Sequence, residues 1–112
     1  MTITPVTLVA GSQLTGSAAT YYTAGANTKA VITNMTLTNT TAGAVTATVH
    51  IINAGATESA SNMCISARSI AAGETYKCPE VIGKTMSATG TIRALAGATT
   101  SISIQASGYE VV

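Results

Sequence analysis

Along most of the chain, apolar and hydroxyl-bearing residues alternate with a period of two, and no sustained 3.6-residue periodicity appears. Over residues 29–39, Val31, Met35 and Leu37 are apolar at odd positions with Thr33 among them. Asn34, Thr36 and Thr38 occupy even positions, and Ile32 breaks the pattern. In the next segment Val45, Ala47, Val49 and Ile51 form one face, and Thr46, Thr48 and His50 the other. The small-residue run Thr40-Thr41-Ala42-Gly43-Ala44 between them predicts a hairpin with a longer loop. Near the start, residues 2–9 predict a strand that Pro5 marks as an edge, and residues 19–23 predict another.

Later strands are shorter. Residues 63–65 predict one, followed by a link through Ala67 and Arg68 to Ile70, with 66–72 read as loop or a single turn. Ala71-Ala72-Gly73-Glu74 turns into a strand over 75–78 that Pro79 closes, and short strands follow near 84–88 and over 91–95. In the last long strand Ile102, Ile104 and Ala106 face one way and Ser101, Ser103 and Gln105 the other, with 109–112 adding a final pairing. Eight or nine short strands with Gly, Ala and Asn turns, no internal repeat and no linker predict an all-β, single-domain antiparallel β-sandwich or jelly roll over residues 1–112.

Composition sharpens that picture. Threonine (21), alanine (20), serine (10) and glycine (10) dominate 112 residues; the only aromatics are four tyrosines, so the core is aliphatic. Charged residues are 8% of the chain, against roughly 25% in an ordinary domain. A formal charge of +1 with dispersed Lys and Arg argues against a nucleic-acid partner. No window approaches the roughly 18 apolar residues of a membrane helix, so no membrane partner is expected. The start MTITPVTLVA has no basic residue before its apolar stretch and does not read as a secretory signal, which predicts a protein made in the cytoplasm.

Candidate chemistry is sparse. There are no aspartates, and Glu74 and Glu80 sit in turn-like contexts where solvated carboxylates are the expectation. His50, on a threonine face, reads as a surface histidine. Cys64 and Cys78 read as free, partly buried thiols, and a single histidine argues against a zinc site. No catalytic residue, cofactor site or metal site is expected, and the protein reads as a non-enzyme. Sheet edges need protection, which monomers commonly supply with charge, and this chain has little. Coverage by further copies of itself or by a larger assembly is therefore expected. Thr4, Pro5 and Val6 of the edge strand, together with Tyr21, Tyr22 and Tyr109, are the expected interface residues.

The run Tyr21-Tyr22-Thr23 through Lys29 to Thr40, then Ile70-Ala71-Ala72-Gly73-Glu74-Thr75, Gly90-Thr91-Ile92-Arg93-Ala94 and Ser107-Gly108-Tyr109-Glu110, resembles small β-sandwich virion proteins of tailed bacteriophages. These motifs are strand starts and turns spread over most of the chain. The resemblance implies a capsid decoration (cement) protein, or a tail or fibre accessory. It would be assembled in the host bacterial cytoplasm, and its partner would be the major capsid protein or tail proteins of the same virion. It implies no catalytic residues. A carbohydrate- or receptor-binding jelly-roll module is the alternative from another class.

Overall fold

The computed structural model describes residues 2–112. Nine strands form two antiparallel sheets. They are β1 (Ile3–Gln13), β2 (Ala19–Thr23), β3 (Lys29–Asn39), β4 (Val45–Ile52), β5 (Met63–Ile70), β6 (Thr75–Tyr76), β7 (Thr85–Met86), β8 (Thr91–Ala96) and β9 (Ile102–Val111). One sheet runs β1-β9-β3-β6, with β7 also paired to β3; the other runs β2-β8-β4-β5. The all-β sandwich expected from alternation is the fold observed, and its core is aliphatic: Leu14, Ile32, Met35, Leu37, Val49, Ile70, Ile92, Ile102 and Ile104 are completely buried.

The expected β3–β4 hairpin does not form. β3 is flanked by β9 and by β6/β7, and β4 by β8 and β5, so the loop over 40–44 carries the chain from one sheet to the other. Asn39 makes that corner. Completely buried, it donates from Nδ2 to the carbonyls of Gly43 and Ile70 (both 2.8 Å). Its Oδ1 accepts from Thr41 N (2.9 Å) and Thr41 Oγ1 (2.7 Å). All four hydrogen-bonding positions of the amide are thereby filled, fixing a turn that faces away from hairpin geometry. Backbone bonds from Thr40 N to Ser101 O and from Gly73 N to Asn39 O fasten the same corner to both neighbours of β3.

Bulges explain where alternation fails. The β3–β9 register shifts between Ile32 and Asn34, so Thr33 is an extra residue. The inward set is Ala30 and Ile32 before it, and Met35 and Leu37 after it. Ile32 breaks the pattern because the phase changes there. Opposite the bulge sits Gly108, where a Cβ would fall onto the Val31 carbonyl oxygen. β1 carries two irregularities: Leu8 is extra, and Ala10-Gly11 together face Gln105, with Gly11 at φ +124°. The first makes Leu8 and Val9 consecutive buried residues.

Other boundaries are corrected as well. Residues 66–72 are not mainly loop: β5 continues through Ile70, and the kink that resembled a break is a bulge with Ala67 at φ +43°. β6 ends at Tyr76, because Cys78 adopts φ +51° and Pro79 follows. The pairing expected for residues 109–112 is the end of β9 itself.

Candidate interaction surface

Tyrosines close both flanks of the sandwich. On the β1/β2 flank, Tyr22 packs on the core and donates its hydroxyl across the sheets to Glu110 Oε2 at 2.6 Å. Burial first, then the Glu110 hydrogen bond and charge, hold the Tyr22 phenol well above its usual range. Tyr21, the bulged neighbour, reaches the Gln13 carbonyl at 3.4 Å. On the β5/β6 flank, the Arg68 guanidinium lies 4.3 Å from the Tyr76 ring centroid, and Tyr76 donates to Glu80 Oε1 at 2.6 Å. That bond lowers the Glu80 carboxyl and raises the Tyr76 phenol. Glu74 accepts from Ala71 N at 2.9 Å, closing its own turn, and does not approach Glu80 through any hydrogen bond of the described residues.

His50 is buried, not a surface histidine (3% exposed). The segment 53–62, ending in a 3₁₀ turn over Ala60–Asn62, lies across the face of β4 and β8 like a strap. Asn62 Nδ2 donates to the Thr57 carbonyl (2.8 Å) and Oδ1 accepts from Ser59 N (3.1 Å), which orients the amide. Oδ1 therefore also accepts from His50 Nδ1, 2.8 Å away. His50 Nε2 faces Glu58 Oε2 at 3.9 Å, and Arg93 Nε lies 3.0 Å from Glu58 Oε1, off the axis of a straight hydrogen bond. Thr48, also on that face, is buried because its hydroxyl accepts from Ala67 N at the β5 bulge.

Cys64 is half-buried and Cys78 buried, and both are free. Burial, with Glu80 nearby, pushes the Cys78 thiol up to about 12. Among the described residues no three His, Cys, Asp or Glu side chains gather as metal ligands would.

The outward face of β1-β9-β3 carries exposed residues on all three strands. Register places Pro5, Tyr109 and Val31 in one row across the three strands, and Thr7, Ser107 and Asn34 in the next. A third row holds Gln105 and Thr36, beside the Ala10-Gly11 bulge. Toward the chain ends, Ile3 and Val111 pair, with Lys29 beyond them as the one charged side chain in these outward rows. Ile3 (56%), Tyr109 (41%) and Val112 (66%) are exposed at this end; Ile82 (50%) lies across β3, on the loop bonded to Ile32 through Gly83 and Lys84.

The expected interface residues therefore divide. Pro5 and Tyr109 sit side by side on the outward face, and Thr4 is exposed on the same strand. Val6, Tyr21 and Tyr22 are half-buried against the core. Ile3 and Val111 share the outward face as well, because β1 and β9 pair from their outer ends. The alternation Ile3-Pro5-Thr7 against Tyr109-Val111 was the available signal.

No protein-family model matches the chain, and no curated protein is significantly similar to it in sequence. Among solved structures, the chain is similar to one from the infectious bursal disease virus Gx strain, with TM-score 0.46 and 14% identity over 97% of its length. A second, from the infectious bursal disease virus VP2 subviral particle, gives TM-score 0.44 and 15% identity over 97%. The chain spans 30% and 32% of the length of those two chains.

Proposed function

We propose that this is a non-enzymatic virion structural protein of a tailed bacteriophage, a decoration protein that docks as a homo-oligomer on the outer capsid. The observation that carries the reading is the outward face of β1-β9-β3: exposed Ile3, Pro5 and Tyr109 lie in paired rows with half-buried Val31 and Val111, and Lys29 is the one charge among them. Ordinary soluble surfaces carry roughly 25–35% charged residues of both signs. An uncharged, partly apolar sheet face suits close contact with another protein surface, at little desolvation cost. Contacts of this kind add binding free energy to an assembled shell, and several weak ones on one oligomer reinforce each other.

The test is the copy number of the chain in purified virions, by quantitative mass spectrometry against the major capsid protein. A number comparable to that of the capsid subunit supports shell decoration. A number far below it moves the protein to the tail or fibres, and absence from the particle overturns the virion reading.

A further inference from the structure

We propose that the middle of the outward β1-β9-β3 face, which shares Pro5 and Tyr109 with the docking surface above, is a binding groove for a neutral glycan, available where a shell does not cover that face. The groove has a structural origin. At Leu8 and Ala10-Gly11, β1 leaves regular register with β9, and β3 does so at Thr33. Between these irregularities the face sinks into a depression of about 300 Å³ that Thr7, Asn34, Thr36, Gln105 and Ser107 line. It continues past Thr7 and Ser107 into a second hollow reaching Pro5 and Tyr109.

Three features point to sugar. First, neither hollow has an ionisable side chain in its lining apart from the tyrosine phenol, so a charged ligand would gain nothing there. Second, apart from Val9, Ala10 and Ala106, the main depression is lined by hydroxyls and carboxamides. The amides of Asn34 and Gln105 take part in no side-chain hydrogen bond among the described residues, unlike those of Asn39 and Asn62, which bond within the fold. A carboxamide both donates and accepts, which suits vicinal sugar hydroxyls. Third, Tyr109 offers an exposed ring at one end of the row Tyr109, Ser107, Gln105. Alternate residues on one strand face are about 7 Å apart, so the row spans about 13 Å, room for two or three hexose units. An aromatic flank with amides beyond it provides a stacking platform and directional contacts in one line.

A larger depression of about 400 Å³, near Glu80, Lys84 and Cys64, lacks this character: it is charged, and Glu80 is already held by Tyr76.

The experiment is titration of the isotopically labelled full chain with maltotriose, cellotriose, diacetylchitobiose and lactose, read by amide chemical shifts. At least one should bind with a Kd of about 1 mM, as a shallow open groove allows. Shifts should be confined to Thr7, Asn34, Thr36, Gln105, Ser107 and Tyr109, with little dependence on salt. Gln105→Ala and Asn34→Ala, both at exposed positions that leave the fold intact, should each weaken binding about fivefold. Tyr109→Ala should weaken it about tenfold. Absence of binding by all four sugars at about ten times that concentration, or shifts mapping elsewhere, overturns the proposal. Virion copy number is indifferent to either result, so the two readings fail separately.

Discussion

Replacing Asn39 by alanine would leave the Ile70 carbonyl and the Thr41 amide without the partner that now serves them at 2.8–2.9 Å, while the Gly43 carbonyl keeps the Thr41 hydroxyl at 3.0 Å. Orphaned buried polar groups cost about 1–3 kcal/mol each, and some regain water at the exposed loop. Asn39→Ala should therefore lower unfolding free energy by about 3 kcal/mol, measured by urea denaturation with an unchanged slope. Tyr22 makes a second prediction. Its phenol is raised above 10.0 by burial and by Glu110, so the folded chain keeps that proton where the unfolded chain releases it. The associated stability is fully present below pH 10.0 and is lost as pH rises beyond it. Cys78, raised from 9.0 to about 12, acts in the same direction from pH 9 upward. Tyr22→Phe should cost about 1 kcal/mol at neutral pH, since the site is only partly buried. Unfolding free energies measured from pH 8 into the alkaline range should show that deficit shrinking above pH 10.0; a constant gap would contradict the assigned coupling.

The elements were legible to different degrees, for physical reasons. β2 and β3 have the bounds that alternation predicts, because one side of each strand meets the core. Alternation says nothing about which strand is the neighbour, and so the 40–44 loop reads as a hairpin although it crosses between sheets. The side chain of Asn39, satisfied through contacts up to 31 residues away, helps to hold the crossover, and period-two alternation does not show that contact. His50 was misjudged for a related reason. Burial there comes from a strap whose residues 53–61 are themselves exposed and lack any apolar signature. Because the strap is held by polar contacts, Asn62→Ala should release it, stranding His50 Nδ1, Ser59 N and the Thr57 carbonyl. Hydrogen–deuterium exchange of amides 53–62 should accelerate about tenfold while β3 and β9 stay protected. Uniform acceleration would mean the strap is part of the global cooperative unit. Pro5 is the clearest case of legibility: Thr2 and Val112 exchange both backbone bonds, so alternation turns the Pro5 nitrogen toward the open edge. Its missing donor costs β9 nothing and leaves a gap that discourages strand addition.

At the scale of the molecule, 46 × 26 × 20 Å, the sandwich is closed along both flanks by its own tyrosines, and its exposed Ile3, Tyr109 and Val112 gather at the end where β1 and β9 meet. If that end docks, Ile3→Glu should abolish binding to purified shells in co-sedimentation, an effect of at least about tenfold from one desolvated charge. The unfolding midpoint should be nearly unchanged, because Ile3 is exposed. Wild-type binding should be nearly constant between low and moderate salt; a collapse over that range would point to charge-driven attachment instead.

The pairing of β1 with β9 also has a consequence for how the protein comes into being. Among the described residues β1 has no strand partner but β9, and β2 must wait for β8, so residues 3–13 cannot pair until residues 102–111 have been made. Neither sheet can be completed until the strand at its far sequence position emerges, and the first sheet needs all ten residues of β9. Folding is thus paced by long loop closures and slow compared with helical chains of this size. Until β9 is made, the chain is a threonine-rich polymer with few charges and an unpaired β1. That interval, rather than the finished sandwich, is when it most needs a chaperone.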